Sequence, residues 1–331
     1  MHIGCDLFSS SIKFQVIQNS VLRKLKKEFN DVKIIKILPE KIEQKKLNKI
    51  EIYWGNRVNS ELIKRMPNLK WIHYGSTGFN KEIYKQIIKK NIKVTNSQKM
   101  FSNAVAATVF SYVFSLARGV HYCQTLREES KLNRKNFDKI SANIQDVYNQ
   151  KILIVGLGNI GRKIASTCRA MEMEVFAVKQ KINIAPNFVK KIYKLKELRK
   201  AVKNKDYVIN LLPLTNKTKN IFNKKIFMSM KKTSFFVNVG RGGTVNEKDL
   251  LNALKSKKIC GAALDVILQE PIKNDSPFLK QKNVILTPHT AGVTNKYWTD
   301  QYLLFSKNLA RYKKSSKLIN LKNSFNLKEG Y

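Results

Sequence analysis

The 331-residue sequence predicts an α/β protein built from two doubly wound halves, and three observations carry that expectation. Short apolar runs rich in β-branched residues alternate with longer stretches of helical period, which is the rhythm of parallel strands joined by crossover helices. The runs of the second half lack alternating polar positions, as strands covered on both faces should. One run, KILIVGLG at 151–158, passes directly into a glycine turn and the helical stretch NIGRKIASTCRAM, the strand-turn-helix setting of a dinucleotide loop.

In chain order, the first half offers VKIIKIL at 32–38, IEIYWG at 50–55, LKWIHYG at 69–75 and IKVTN at 92–96 as strands. SELIKRM and NKEIYKQIIKK have the period of helices between them. AVAATVFSYVFSLA at 104–117 is too short to span a bilayer and carries Ser and Thr, so it reads as a buried helix. The second half then runs KILIVGLG, MEVFAVK at 173–179, YVINLLP at 207–213, SFFVNVG at 234–240, GAALDVI at 261–267 and NVILTPH at 283–289. After His289 the pattern turns helical through TNKYWTDQYLLFSKNLARY. No strand follows, so this tail is expected to return to the first half. The expected division is therefore 1–99 plus 293–331 for one domain and 100–292 for the other.

A chain of this length can bury two cores without disulfides or metals. Cys5, Cys123, Cys168 and Cys260 are far apart and form no CxxC pair, which argues against zinc and against a disulfide framework. The opening MHIGCDLFSSSIKF has no basic head followed by a long apolar run, so no signal peptide is expected and the cytoplasm is the expected compartment. The formal net charge of +40 invites a nucleic-acid reading. Lys and Arg are spread over almost every segment, however, with no aromatic-basic ladder to organise them. Compositional drift toward Lys, Ile and Asn is the simpler account, and neither nucleic acid nor membrane is the expected partner.

In VGLGNIGRKIA at 155–165, Gly156 permits the tight turn and Gly158 lets backbone N–H groups approach a pyrophosphate. Gly161 lets the helix sit close on its strand, and Asn159 and Ile160 open that helix. This makes the second half a Rossmann-type domain. A site that prefers NAD would place an acid at the end of the next strand to bind both ribose hydroxyls. Here that strand ends in Val178-Lys179. An ammonium attracts a 2′-phosphate, so the cofactor is NADP or NAD, leaning to NADP. With 63 basic residues in 331, chance alone puts a base at about one position in five.

Further on come LLPLTNKT at 211–218, VNVGRGGTVNEKDL at 237–250, ALDVILQEP at 263–271 and LTPHTAGVT at 286–294. Together with the glycine loop, these motifs resemble the D-isomer-specific 2-hydroxyacid dehydrogenases in order and spacing, over residues 50–331. Within that family the bacterial-type glyoxylate/hydroxypyruvate reductases are most similar. They share the basic strand end, the LKWI entry to the substrate loop and a tail like NLARY with a terminal Gly-Tyr. The resemblance implies a Rossmann dinucleotide-binding domain and a flavodoxin-like substrate domain completed by the C-terminal helix, with dimerisation through the long helix.

A 2-keto acid presents a carboxylate and a carbonyl, and the planar, permanently charged fork of Arg241 suits both. His289 can donate the proton that the carbonyl oxygen needs after hydride transfer, histidine being the side-chain type suited to acid–base work near neutral pH. The resemblance places Glu270 beside that imidazole, where a carboxylate stabilises the imidazolium, and gives Asp265 the nicotinamide carboxamide. It also lines the cofactor with Leu212, Pro213, Thr218, Val239, Gly240, Arg241, His289, Ala291 and Gly292, and gives the substrate carboxylate to Ser76, Thr77 and Gly78. Taken singly, His289 is a strand cap, Arg-Gly-Gly a turn and Glu270 a solvated loop acid. Their joint occurrence in register argues for the catalytic reading. Trp54, Trp71 and Trp298 are either pocket walls or core.

Two departures from the family pattern stand out: Ala107 followed by Thr108 where an acid commonly sits, and Lys179 where an acid would bind ribose. The expected activity is NAD(P)-dependent reduction of a small 2-keto acid. The alternatives are a 3-phosphoglycerate dehydrogenase and a non-catalytic, nucleotide-sensing protein related to transcriptional corepressors.

Overall fold

The computed structural model describes residues 1–8, 16–37, 42–76, 81–98, 100–180 and 186–315. The chain divides into two compact units, Met1–Phe101 with the segment that starts at Thr294, and Ser102–Val293.

The first unit is a five-stranded parallel sheet of β1 (His2–Cys5), β2 (Lys33–Lys36), β3 (Ile52–Gly55), β4 (Trp71–Tyr74) and β5 (Lys93–Thr95) in the order β2-β1-β3-β4-β5. That is the flavodoxin-like order. β1 is a central strand that the sequence reading passed over. Its HIGC holds a single β-branched residue and a glycine, so local propensity gives no signal. The helix Tyr297–Ser315 packs Tyr297, Trp298, Phe305, Leu309 and Tyr312 into a core with Ile3, Trp54 and Trp71, so the C-terminal helix completes this unit. Phe305 stacks on Trp54 with ring centroids 4.0 Å apart and on Trp71 at 5.4 Å. All three tryptophans are therefore core, not pocket wall.

The second unit is a seven-stranded parallel sheet. Its strands are β6 (Lys151–Val155), β7 (Glu174–Val178), β8 (Lys191–Tyr193), β9 (Tyr207–Asn210), β10 (Phe235–Asn238), β11 (Gly261–Leu264) and β12 (Val284–Leu286), in the order β12-β11-β10-β9-β6-β7-β8. This is the Rossmann order with one added strand. β8 has no apolar run to announce it, since its three residues sit among lysines. Backbone pairing with β7 makes it a strand, and its lysines blunt the sheet edge. The run 283–289 was expected to be buried on both faces. β12 is instead only half-buried along its length, because it forms the other edge of the sheet.

The helix Ser102–Ala117 buries Val109, Tyr112, Val113 and Leu116 in a core with residues of β10 and β11, the strands it packs against. This fits the expected buried helix. No single described helix is long and apolar enough to cross a membrane.

Candidate active site

Every candidate residue of the second unit lies on a segment that leaves the carboxyl end of one of its strands. The glycine loop follows β6, Lys179 follows β7, and Leu212, Pro213 and Thr218 follow β9. Val239 to Arg241 follow β10, Asp265 and Glu270 follow β11, and His289 to Gly292 follow β12. Parallel sheets concentrate ligand sites at these ends, and β6 and β9 flank the point where strand order reverses.

The glycine loop fits a pyrophosphate. Gly156 has φ +114 and its N–H donates to the Val178 carbonyl at 3.0 Å. A Cβ on Gly161 would lie 2.3 Å from the Gly156 oxygen, so the helix Asn159–Cys168 can approach its strand only with glycine there. Gly158 differs: a Cβ placed on it meets nothing within 4 Å. It is also the N-cap of the ten-residue helix and contributes no side-chain cap. Open space above uncapped helix N–H groups is where an anion fits. Asn159, Ile160 and Gly161 bring those groups. Lys179 is half-buried, and its N–H donates to the Tyr193 carbonyl at 3.0 Å.

The loops after β9, β10 and β11 are pressed together through glycines. A Cβ on Gly240 would lie 2.8 Å from the Leu212 oxygen, and one on Gly242 would lie 1.9 Å from the Ile267 oxygen. Arg241, extended and half-buried between these two glycines, is held by the contact, and its Nη1 donates to the Gly240 carbonyl at 2.7 Å. Beneath lies a buried polar set that the sequence reading missed. Asn210 Nδ2 donates to Asn238 Oδ1 at 2.8 Å and to Thr244 Oγ1 at 2.7 Å. Asn210 Oδ1 accepts from the Leu212 N–H, Asn238 Oδ1 accepts from the Gly240 N–H, and Thr244 Oγ1 donates to the Arg241 carbonyl. These bonds fix where each strand ends and its loop begins. Asparagines closing otherwise apolar strands were the available signal. Thr218 spends its hydroxyl inside its own loop, on the Pro213 carbonyl at 2.6 Å and on Thr215.

His289 and Glu270 are brought into contact, with Nδ1 2.6 Å from Oε2. The other Glu270 oxygen accepts from the Ile267 N–H at 3.2 Å, which orients the carboxylate. A carboxylate only accepts, so the imidazole carries a proton on Nδ1, and Nε2 takes no part in that bond. The side chains are 51% and 35% exposed, so the pair opens to solvent. His289 itself sits at φ +54, a left-handed conformation that costs a non-glycine residue about 1–2 kcal/mol.

Asp265 offsets that cost. It is 4% exposed, and Oδ1 accepts from Thr287 Oγ1 at 2.6 Å, from the Thr290 N–H at 2.7 Å and from the Ala291 N–H at 3.1 Å. Its own carbonyl accepts from the His289 N–H at 2.9 Å. Charge-assisted bonds contribute about 1.5–3 kcal/mol each, so the clamp outweighs the strain. Oδ2 takes only the Ala291 N–H, at 3.1 Å, among the described bonds.

In the first unit, Thr77 and Gly78 lie outside the described residues. Ser76 is placed just after β4, where its carbonyl accepts from the Ser97 N–H at 3.1 Å.

An open pyrophosphate cradle and a carboxylate-backed imidazole on one Rossmann sheet define a nicotinamide-dependent oxidoreductase. The comparisons with known proteins make this definite. The chain belongs to the D-isomer-specific 2-hydroxyacid dehydrogenases, whose NAD-binding domain matches residues 110–291. It is 28% identical over 270 residues to a glyoxylate reductase of Korarchaeum cryptofilum, covering 80% of each chain. It is also 28% identical over 295 residues to glyoxylate/hydroxypyruvate reductase B of Citrobacter koseri, covering 87% of this chain and 89% of that one. The fold matches an NADPH-dependent glyoxylate/hydroxypyruvate reductase from Sinorhizobium meliloti, solved with NADP and sulfate. There the TM-score is 0.80 at 22% identity, over 100% of this chain and 99% of the other.

Proposed function

We propose that this protein reduces a small 2-keto acid of the glyoxylate or hydroxypyruvate type with NADPH, His289 acting as proton donor. The contact of His289 Nδ1 with Glu270 at 2.6 Å carries the reading, because it commits one ring nitrogen to a carboxylate and leaves the other for transfer. When bound, the nicotinamide nucleotide supplies the hydride. Gly158 and the N–H groups of Asn159, Ile160 and Gly161 hold its pyrophosphate, and the spare capacity of Asp265 Oδ2 suits its carboxamide.

Arg241 is assigned the substrate carboxylate and the polarisation of its carbonyl, and Ser76, Thr77 and Gly78 are the first unit's candidates for binding a carboxylate. As negative charge develops on the carbonyl oxygen, Nε2 of the imidazolium gives up its proton. Glu270 has stabilised that cation until then. Leu212, Pro213, Thr218, Val239, Gly240, Ala291 and Gly292 line the nucleotide. Lys179 supports NADPH over NADH, since no carboxylate stands at the end of β7 to repel a 2′-phosphate. The first unit serves as the substrate domain.

Four unpaired cysteines suit the reducing cytoplasm. The exposed Phe114 and Val120 offer apolar surface for a homodimer.

Initial rates with NADPH and NADH against glyoxylate, hydroxypyruvate, pyruvate and phosphohydroxypyruvate test the proposal. The two small acids should turn over, faster with NADPH. No turnover with any acid overturns the reading, and a strong preference for phosphohydroxypyruvate replaces it with phosphoglycerate dehydrogenase chemistry.

A further inference from the structure

The helix Ser102–Ala117 reads as core, yet two of its polar groups reach the loop that carries His289. Thr108 and Tyr112 are four residues apart and so share one helix face. Thr108 Oγ1 donates to the Ala291 carbonyl at 3.2 Å. The Tyr112 hydroxyl contacts Thr287 Oγ1, and Thr287 Oγ1 contacts Asp265 Oδ1 at 2.6 Å.

Proton counting gives this chain a direction. A carboxylate only accepts, so the one Thr287 proton goes to Asp265. The phenol must then donate to Thr287. Burial, reinforced by the Asp265 carboxylate that the phenol also faces directly, pushes the Tyr112 hydroxyl up to about 12, so its proton is present at every working pH. The series runs from Tyr112 O–H to Thr287 O–H to Asp265, and Asp265 in turn holds the N–H groups of Thr290 and Ala291, which directly follow the strained His289.

We propose that Tyr112 is a positioning residue for proton transfer. Through Thr287 and Asp265, and with Thr108 gripping Ala291, it fixes the left-handed turn that presents His289 to substrate. The proposal rests on the reading of His289 as proton donor. Tyr112 touches neither the imidazole nor Glu270 among the described bonds, so its effect is on geometry. An acid held a fraction of an ångström out of place loses rate while the binding of nucleotide and keto acid survives.

Turnover of Tyr112→Phe, Thr287→Ser, Thr287→Val and the Tyr112→Phe/Thr287→Val double variant with glyoxylate and NADPH tests it, alongside hydrogen exchange of the 287–292 segment. Tyr112→Phe should lower kcat by about tenfold, with KM for both substrates within about twofold of wild type. Thr287→Ser should restore near-normal kcat because it keeps the hydroxyl. Thr287→Val should lose as much as Tyr112→Phe, and the double variant should lose no more than Thr287→Val, since both changes break one series. Exchange of the Thr290 and Ala291 amides should quicken in Tyr112→Phe while exchange of the glycine loop is unchanged.

An unchanged kcat in Tyr112→Phe overturns the proposal, as do losses that multiply in the double variant. Should the wild type turn over no keto acid, the functional reading fails. The exchange rates then decide the positioning claim: faster exchange confined to 287–292 upholds it, and unchanged exchange ends it.

Discussion

The two units share a parallel, doubly wound architecture, and each holds a histidine near a strand end, but the two histidines do opposite things. His73, in β4, is fully buried, its Nδ1 lies 2.7 Å from Thr95 Oγ1, and burial lowers its pKa to about 3. His289, beyond β12, is half exposed and faces a carboxylate. A buried carboxylate after one strand also grips the loop of the neighbouring strand in both units. Asp6 accepts from the Asn56 N–H at 3.1 Å and the Arg57 N–H at 2.7 Å, as Asp265 accepts from Thr290 and Ala291. The Asp6 clamp is closed off by the Tyr53 hydroxyl and the Arg57 guanidinium. The Asp265 clamp instead presents a half-exposed imidazole whose Nδ1 is held by Glu270. Parallel sheets supply such positions in both units, and exposure marks one of them as the candidate site.

The largest expected break in this comparison is His289→Gln, which should lower kcat by about a thousandfold with NADPH binding retained, as read by nucleotide fluorescence titration. His73→Gln should instead lower the melting temperature and leave the kcat of the folded fraction unchanged. A small kcat loss in His289→Gln would remove its role as acid.

Next in size, Asp265→Asn should lower kcat by about a hundredfold, whereas Asp6→Asn should act on thermal stability alone. Melting curves and turnover on the same samples separate the two.

Smaller again, Lys179→Asp should shift the NADPH/NADH ratio of kcat/KM toward NADH by about tenfold, the scale of one charge-assisted contact. An unchanged ratio would show that Lys179 does not read the ribose.

The smallest effect is a pH slope. His73 is held neutral in the folded chain to about 3, whereas the unfolded chain binds that proton below about 6.5. Its stabilising effect is therefore complete above the unfolded value and is lost as pH falls through this window. The melting temperature should drop less steeply below pH 6.5 in His73→Gln than in wild type, and equal slopes would count against the assignment.

Gly156, Gly158, Gly161, Arg241 and His289 stand out as candidates in the sequence because each is a residue type that the proposed chemistry uses, set beside a strand that periodicity reveals, whereas Glu270 is reached only through the family resemblance. Glycine spacing, a permanently charged fork and an imidazole are local facts. The apolar runs likewise announced most of the strands, since burial on two faces leaves a compositional mark.

Tertiary structure alone decided the rest. β1 and β8 are strands because a neighbour pairs with them, and β12 is half-buried because nothing pairs beyond it. Tyr112 looks like one more aromatic in an apolar helix, and only folding brings its hydroxyl to Thr287, 175 residues away. Asn210 and Asn238 become the frame of the Arg241 loop in the same way, through contacts between strands far apart in sequence. Residue identity fixes which chemistry a side chain can do. Which of its donors and acceptors remain free is settled by neighbours that the fold brings from elsewhere in the chain.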